Sequence, residues 1–279
     1  MNRTSLSIAA IQMVSGPEVQ RNLAQAEGLI KQASEQGAEC VVLPENFAVL
    51  EGPALRTVAE QEQESPMILP WLQRMARQYQ LWLVGGTIPM AYRPDGESVP
   101  DGRVRAACCL FSDAGELVAR YDKVHLFDVE VGDQQGAYQE SARIEPGSEV
   151  VVAETPWGKL GLAVCYDLRF AEIFLAFAHQ GCQIIVLPAA FTHKTGEAHW
   201  NTLVRARAIE TQSLMVACNQ GGQHSPNRKT WGHTQIVDAW GTVLNELAMG
   251  PGVVMASVDL TRIQEIRKSM PLASHRVFS

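Results

Sequence analysis

Short apolar runs and amphipathic stretches alternate along this chain. Residues 5–12, 40–43, 104–111, 183–187 and 214–218 are apolar enough for strands covered on both faces. Residues 81–88 read as a strand interrupted by a Gly pair, and residues 117–121, 150–154, 159–164, 230–238, 242–247 and 253–258 as further strands. Between them, residues 22–36 carry Leu23, Ala26, Leu29 and Ile30 on one helical face and stop at Gly37. Helices are also expected over 53–63, 68–79, 170–179, 197–211 and 260–268, with a tail after the last. Turn chemistry at 92–102 predicts a hairpin tip, and residues 133–147 and 191–196 read as loops. The strings VVLPE and IVLPA hint at two pseudo-symmetric halves. No linker, low-complexity segment or fixed-period repeat interrupts the pattern, so a single α/β domain over residues 1–279, its sheets covered by helices, is expected.

One stretch combines the two patterns. KLGLAVCYDLRFAEIF reads as a buried strand, a tight turn at Cys165, and a helix with Phe170, Ile173, Phe174 and Phe177 at helical spacing. A cysteine there has its sulfur at the carboxyl end of a sheet and faces a helix N-terminus, whose N–H groups and dipole favour a thiolate. The plainer reading is a small core cysteine. Two more reactive types follow strands: Glu45, just past Pro44, and Lys123, just before VHLFDVEV. Each read alone is an ordinary surface residue. Read together they are a base, a cation and a nucleophile.

Composition narrows the field. The formal charge of −7 argues against nucleic acid or an anionic membrane surface as partner. No window carries the roughly 18 uninterrupted apolar residues of a membrane span, and the short apolar run near the start is expected to be a first strand rather than a leader. Six scattered cysteines without a CxxC pair point to a reducing, cytoplasmic setting. His193 and His199 lack helical metal-pair spacing, and no Cys/His cluster has zinc spacing. Neither GxSxG nor a phosphate-binding glycine motif occurs.

The segments LPENF around Glu45, RYDKVHLFD around Lys123 and GLAVCYDLRF around Cys165 resemble the three signature segments of the nitrilase superfamily of carbon–nitrogen hydrolases, in the same order. AYQES, TGEAHWNTLVRARAIETQ and WGHTQIVDAWGTV extend the resemblance over nearly the whole chain. It implies a four-layer α-β-β-α sandwich and a homodimer formed through the helix after the cysteine. It also implies Glu45 as base, Lys123 as cation, Cys165 as nucleophile and Glu140 as a supporting carboxylate, with no metal or organic cofactor. The family often has RFPE after the cysteine; Ala171 stands here in RFAE, a helix-compatible change. Arg169 and Glu172 are read as supports around the nucleophile, with a salt bridge between them as the plainer alternative.

That constellation suits acyl chemistry. A thioester splits one hard hydrolysis into two easier steps. Glu45 takes the thiol proton, returns it to departing ammonia and then activates water. Lys123 and the backbone N–H of Tyr166 are expected to hold the oxyanion. The wider resemblance is to the branch that hydrolyses deaminated glutathione, a metabolite repair, with ω-amidases acting on α-ketoglutaramate as the alternative. Both substrates are small carboxylate-bearing amides. His193, Lys194, Arg205 and Arg207 are candidates to hold those carboxylates, ordinary helix-surface pairing being the other reading for the arginines. Other superfamily chemistry, including acyl transfer, stays open. A non-catalytic interaction protein on the same fold would be signalled by loss of one reactive residue, and all three are present.

Overall fold

The alternation of side chains along β1 (Ser5–Gln12) fixes how the layers stack. Leu6, Ile8 and Ala10 enter one core, while Ala9 and Ile11 enter another. The same division recurs in β2 (Cys40–Val42), where Cys40 and Val42 oppose Val41. The computed structural model describes residues 3–50, 52, 54–133 and 136–277.

In the first sheet β1 lies between β17 (Gly252–Asp259) and β2, followed by β3 (Trp82–Val84), β5 (Arg105–Phe111) and β4 (Ile88–Met90); β6 (Leu117–Asp122) also pairs with β5. β1, β2 and β3 are parallel and the outer strands antiparallel. The second sheet repeats this plan. β10 (Gly158–Leu162), β11 (Ile184–Ala189) and β12 (Leu214–Asn219) are parallel, with β9 (Val151–Thr155) on one side and β15 (Thr234–Val237) and β16 (Val243–Leu247) on the other. The two similar sheets fit the pseudo-symmetry hinted at by the two strand–Pro strings.

Helices α1 (Val19–Glu35) and α3 (Ile68–Tyr79) send Leu23, Ala26, Ile30, Trp71, Leu72 and Met75 into the outer core of the first sheet. α4 (Ala171–His179) and α5 (His193–Thr211) cover the second sheet with Phe174, Phe177, Trp200 and Val204. The sheets meet through the remaining apolar faces, which gives the α-β-β-α order. α2 (Ala54–Glu64), α6 (Thr261–Ser269) and α7 (Leu272–His275) lie at the periphery of this arrangement. Two small hairpins, β7 (Asp128–Glu130) with β8 (Ala137–Gln139) and β13 (Gln223–Ser225) with β14 (Arg228–Lys229), stand apart from the sheets.

Several boundaries differ from expectation. The strand expected over 81–88 is two strands, because the chain turns at Gly86 with φ +54°. A Cβ at Gly86 would collide with the Pro44 carbonyl, so this glycine lets the segment before Glu45 approach β3. α5 begins at His193, four residues before the expected 197, because Thr192 caps it by accepting from Thr195 N at 3.4 Å. The expected loop 133–147 contains β8 and a 3-10 turn at Glu140–Ala142. The expected strand 230–238 shortens to β15, and the β13–β14 hairpin precedes it. The expected start of α2 at Pro53, residues 134–135 of that loop and the last two residues of the tail lie outside the described residues.

Candidate active site

β2, β6 and β10 each end by delivering one reactive side chain to a common point. Glu45 follows β2 and is buried, its carbonyl tied by Gln220 Nε2 at 3.1 Å. Lys123 follows β6 and is 2% exposed. Its Nζ donates to Glu45 Oε1 at 2.8 Å and to both oxygens of Glu140 at 2.8 Å. An ammonium has three protons, so these carboxylates occupy its whole donor capacity. Burial opposes the lysine's charge, but Glu140 and Glu45 outweigh it and hold the ammonium well above its ordinary pKa. Glu140 is itself fixed by Phe127 N–H, which donates to Oε2 at 2.7 Å. Burial raises its pKa despite the pull of Lys123.

Cys165 follows β10 with φ +49°, a left-handed backbone rare outside glycine. Asn46, beside Glu45, has φ +56°. Both sharp bends lie in this site, where retained backbone strain commonly marks function. The residues after Cys165 form a 3-10 turn, Cys165–Arg169, and α4 begins only at Ala171. This corrects the expectation of a thiolate favoured by a helix N-terminus. Burial and the neighbouring Glu45 carboxylate raise the Cys165 pKa well above its ordinary value, against the opposing pull of Lys123 and the Ala190 N–H. The raised pKa keeps Cys165 a thiol at rest. Ala190 follows β11, so the second strand–Pro segment reaches the sulfur as the first reaches Glu45.

A cavity of about 780 Å³ is lined by Glu45, Lys123, Glu140, Cys165 and Tyr166. The Tyr166 ring packs edge-on against Phe127 and Phe170, at 5.0 and 5.1 Å between centroids. Among the described residues no carbonyl or side chain accepts from the Tyr166 N–H, next to the sulfur. Thus all five sequence-predicted site residues meet here. Among the described residues no group of three or more His, Cys, Asp or Glu side chains has metal-binding geometry.

The four basic candidates for a substrate carboxylate do not line the cavity. His193 packs against the Trp231 ring, Lys194 donates to Gly132 O, Arg205 to Gly241 O, and Arg207 to Leu168 O and Glu210. The arginines that do line the cavity are Arg143, Arg169 and Arg228. Arg169 lies over the Phe191 and Tyr166 rings and bonds His199 Nδ1 at 3.0 Å rather than pairing with Glu172.

Sequence reading also missed the support beneath the site. Asp167 is fully buried and bonds the Tyr121 hydroxyl, the Val164 N–H and the His125 ring. The His125 ring in turn stacks on Phe170 at 3.8 Å. The available signal was Asp167, an acidic residue two positions after Cys165 and just past a buried strand pattern.

A family model described as carbon–nitrogen hydrolase matches residues 7–268. A deaminated glutathione amidase from Yersinia enterocolitica is 42% identical over 98% of this chain and 93% of its own length. An omega-amidase from Danio rerio is 35% identical over 91% of this chain and 88% of its own. Among solved structures, Nit3 of Saccharomyces cerevisiae, a nitrilase-superfamily member, superposes with TM-score 0.87 at 28% identity, covering 99% of this chain and 98% of that one.

Proposed function

The chain belongs to the carbon–nitrogen hydrolase family, and we propose that it is an amidase that cleaves deaminated glutathione through a Cys165 thioester. The observation that carries this reading is the convergence of Cys165, Glu45 and Lys123 in one cavity that also presents arginines. The relative from Yersinia enterocolitica, similar over almost its whole length, supports the substrate.

The chemistry follows from the contacts. As the Cys165 sulfur attacks the amide carbon, its proton passes to Glu45. The oxyanion forms beside the Tyr166 N–H and Lys123, and losing one such donor typically costs about 100- to 1,000-fold in rate. Lys123 can turn one proton to the oxyanion because Glu140 holds it through two oxygens. When the C–N bond breaks, Glu45 gives its proton to the leaving nitrogen. It then deprotonates the water that cleaves the thioester, and the proton returns to sulfur. The expectation that ammonia leaves applies to α-ketoglutaramate. In deaminated glutathione the scissile amide is substituted, so the leaving group is cysteinylglycine; the acyl product is 2-oxoglutarate in both cases.

The second reading is an ω-amidase acting on α-ketoglutaramate, favoured by the likeness to the Danio rerio protein. With deaminated glutathione as substrate the role is repair of a damaged metabolite, by one cytoplasmic domain spanning residues 1–279. α4 is only half covered at Leu175, Ala176 and Ala178, which suits a homodimer across that helix. Formation of 2-oxoglutarate from each substrate, with Cys165→Ala as control, tests the proposal. Preference for deaminated glutathione supports it, and preference for α-ketoglutaramate moves it to the second reading. Absence of product from both sinks it.

A further inference from the structure

A substituted amide needs room for its leaving group, and the cavity is far larger than α-ketoglutaramate requires. Cysteinylglycine also brings a terminal carboxylate, about 7 Å beyond the scissile nitrogen when two residues are extended. A line of rings leads outward from the nucleophile turn. Tyr166 meets Phe127 at 5.0 Å, Phe127 meets Tyr138 at 5.2 Å, and the Arg228 guanidinium lies 5.3 Å over the Tyr138 ring. Tyr138 is fixed by its hydroxyl, which donates to Asp133 at 2.8 Å. Stacking engages the face of a guanidinium, whereas a carboxylate is bound through its donor edge.

The hairpin that carries Arg228 is braced. His224 Nδ1 bonds the Ser15 carbonyl at 2.7 Å and Nε2 bonds Thr230 Oγ1 at 2.7 Å. A carbonyl only accepts, so the proton sits on Nδ1 and Thr230 donates to Nε2. Thr230 N–H closes the hairpin on Gly222 O at 2.9 Å. Arg169 sits at the other end, 5.8 Å over the Tyr166 ring.

We infer that Arg228 holds the terminal carboxylate of the leaving dipeptide and so determines specificity for a peptide-bearing amide over a primary amide. The inference rests on the deaminated-glutathione reading. Its test compares deaminated glutathione with its C-terminal carboxamide, using the intact protein. In the wild type the amide is expected to show a KM at least tenfold higher than the acid. In Arg228→Gln the two values converge, and Arg228→Lys keeps part of the difference. The acid-to-amide ratio is read within each variant, so a general loss of activity does not mimic the effect. An unchanged ratio in Arg228→Gln, or a wild type that treats acid and amide alike, overturns the inference. If the wild type hydrolyses neither compound, the functional reading has failed, and calorimetry with cysteinylglycine and cysteinylglycinamide decides the subsite. Preference for the acid that disappears in Arg228→Gln supports it; equal binding overturns it.

Discussion

Asp167, two residues after Cys165, accepts a hydrogen bond from the hydroxyl of Tyr121, two residues before Lys123, at 2.7 Å. The same carboxylate accepts from the Val164 N–H at 2.8 Å and contacts His125 Nδ1 at 2.7 Å. One buried side chain thus ties the nucleophile turn to the lysine segment. Small displacements of reacting groups are costly, so this tie bears on rate as well as stability.

Asp167→Asn leaves the shape but replaces one acceptor oxygen with a donor. A buried donor without its acceptor costs about 1–3 kcal/mol. The variant is expected to unfold at lower denaturant, with kcat reduced and KM little changed. Tyr121→Phe leaves Asp167 its Val164 and His125 partners and strands only the Val124 N–H, 3.2 Å from the hydroxyl, so it should cost about 1 kcal/mol. Equal losses in the two variants would show that the carboxylate does no more than accept that one hydroxyl.

Lys123 separates two carboxylates that otherwise face each other in a buried site. Lys123→Met strands both, and removing one partner of a buried ion cluster typically costs about 3–5 kcal/mol. Adding Glu140→Gln should recover much of that stability without recovering turnover. Chemical denaturation and product formation on the single and double variants check this. Activity returning with stability would make the lysine purely structural.

Glu45→Gln separates two accounts of the nucleophile. If the enzyme worked through a standing thiolate, removing the base would matter little. The Glu45 carboxylate instead helps to raise the thiol's pKa, and Lys123 pulls the other way. The variant's thiol should therefore ionise at lower pH than the wild type's, seen as the difference in thiolate absorbance from Cys165→Ala. Turnover should nonetheless fall about 100- to 10,000-fold, the usual value of a positioned base. Retained turnover would reject the base role.

The sheets and the three reactive side chains were legible because strand ends and polar residues in apolar runs are local signals. Glu45, Lys123 and Cys165 each lie just past an expected strand. The protonation state of Cys165 was not legible, since it depends on Glu45, brought in by a different strand. Arg228 was missed because its role depends on where a short hairpin lies relative to Tyr138, 90 residues earlier in the sequence. Arg205 and Arg207 were overvalued for the converse reason. Their spacing on a helix is visible in sequence, but which face the helix turns inward is set by packing around Trp200 and Val204.

His224 gives the hairpin a pH limit. Burial lowers its pKa from 6.5 to about 4, helped by Arg228 and opposed by the bond to Ser15 O. The unfolded chain therefore takes up a proton below pH 6.5 that the folded chain refuses until about pH 4. Stability from the neutral ring is complete above that upper value and is lost as pH falls towards the lower one. His224→Gln has no such titration, so its Tm should fall less than the wild type's between pH 6.5 and 4.5, within the window set by the two pKa values. Carboxylates titrate in both proteins, and the difference between the two profiles isolates the histidine. The substrate carboxylate stays ionised through most of this range. In the folded protein His224 stays neutral until about pH 4, so the brace behind Arg228 holds and the wild type's acid-to-amide KM advantage should persist down to pH 4.5, still above that folded pKa. Parallel Tm profiles would show that the ring does not resist protonation, and would remove the basis for expecting the specificity to hold over this window.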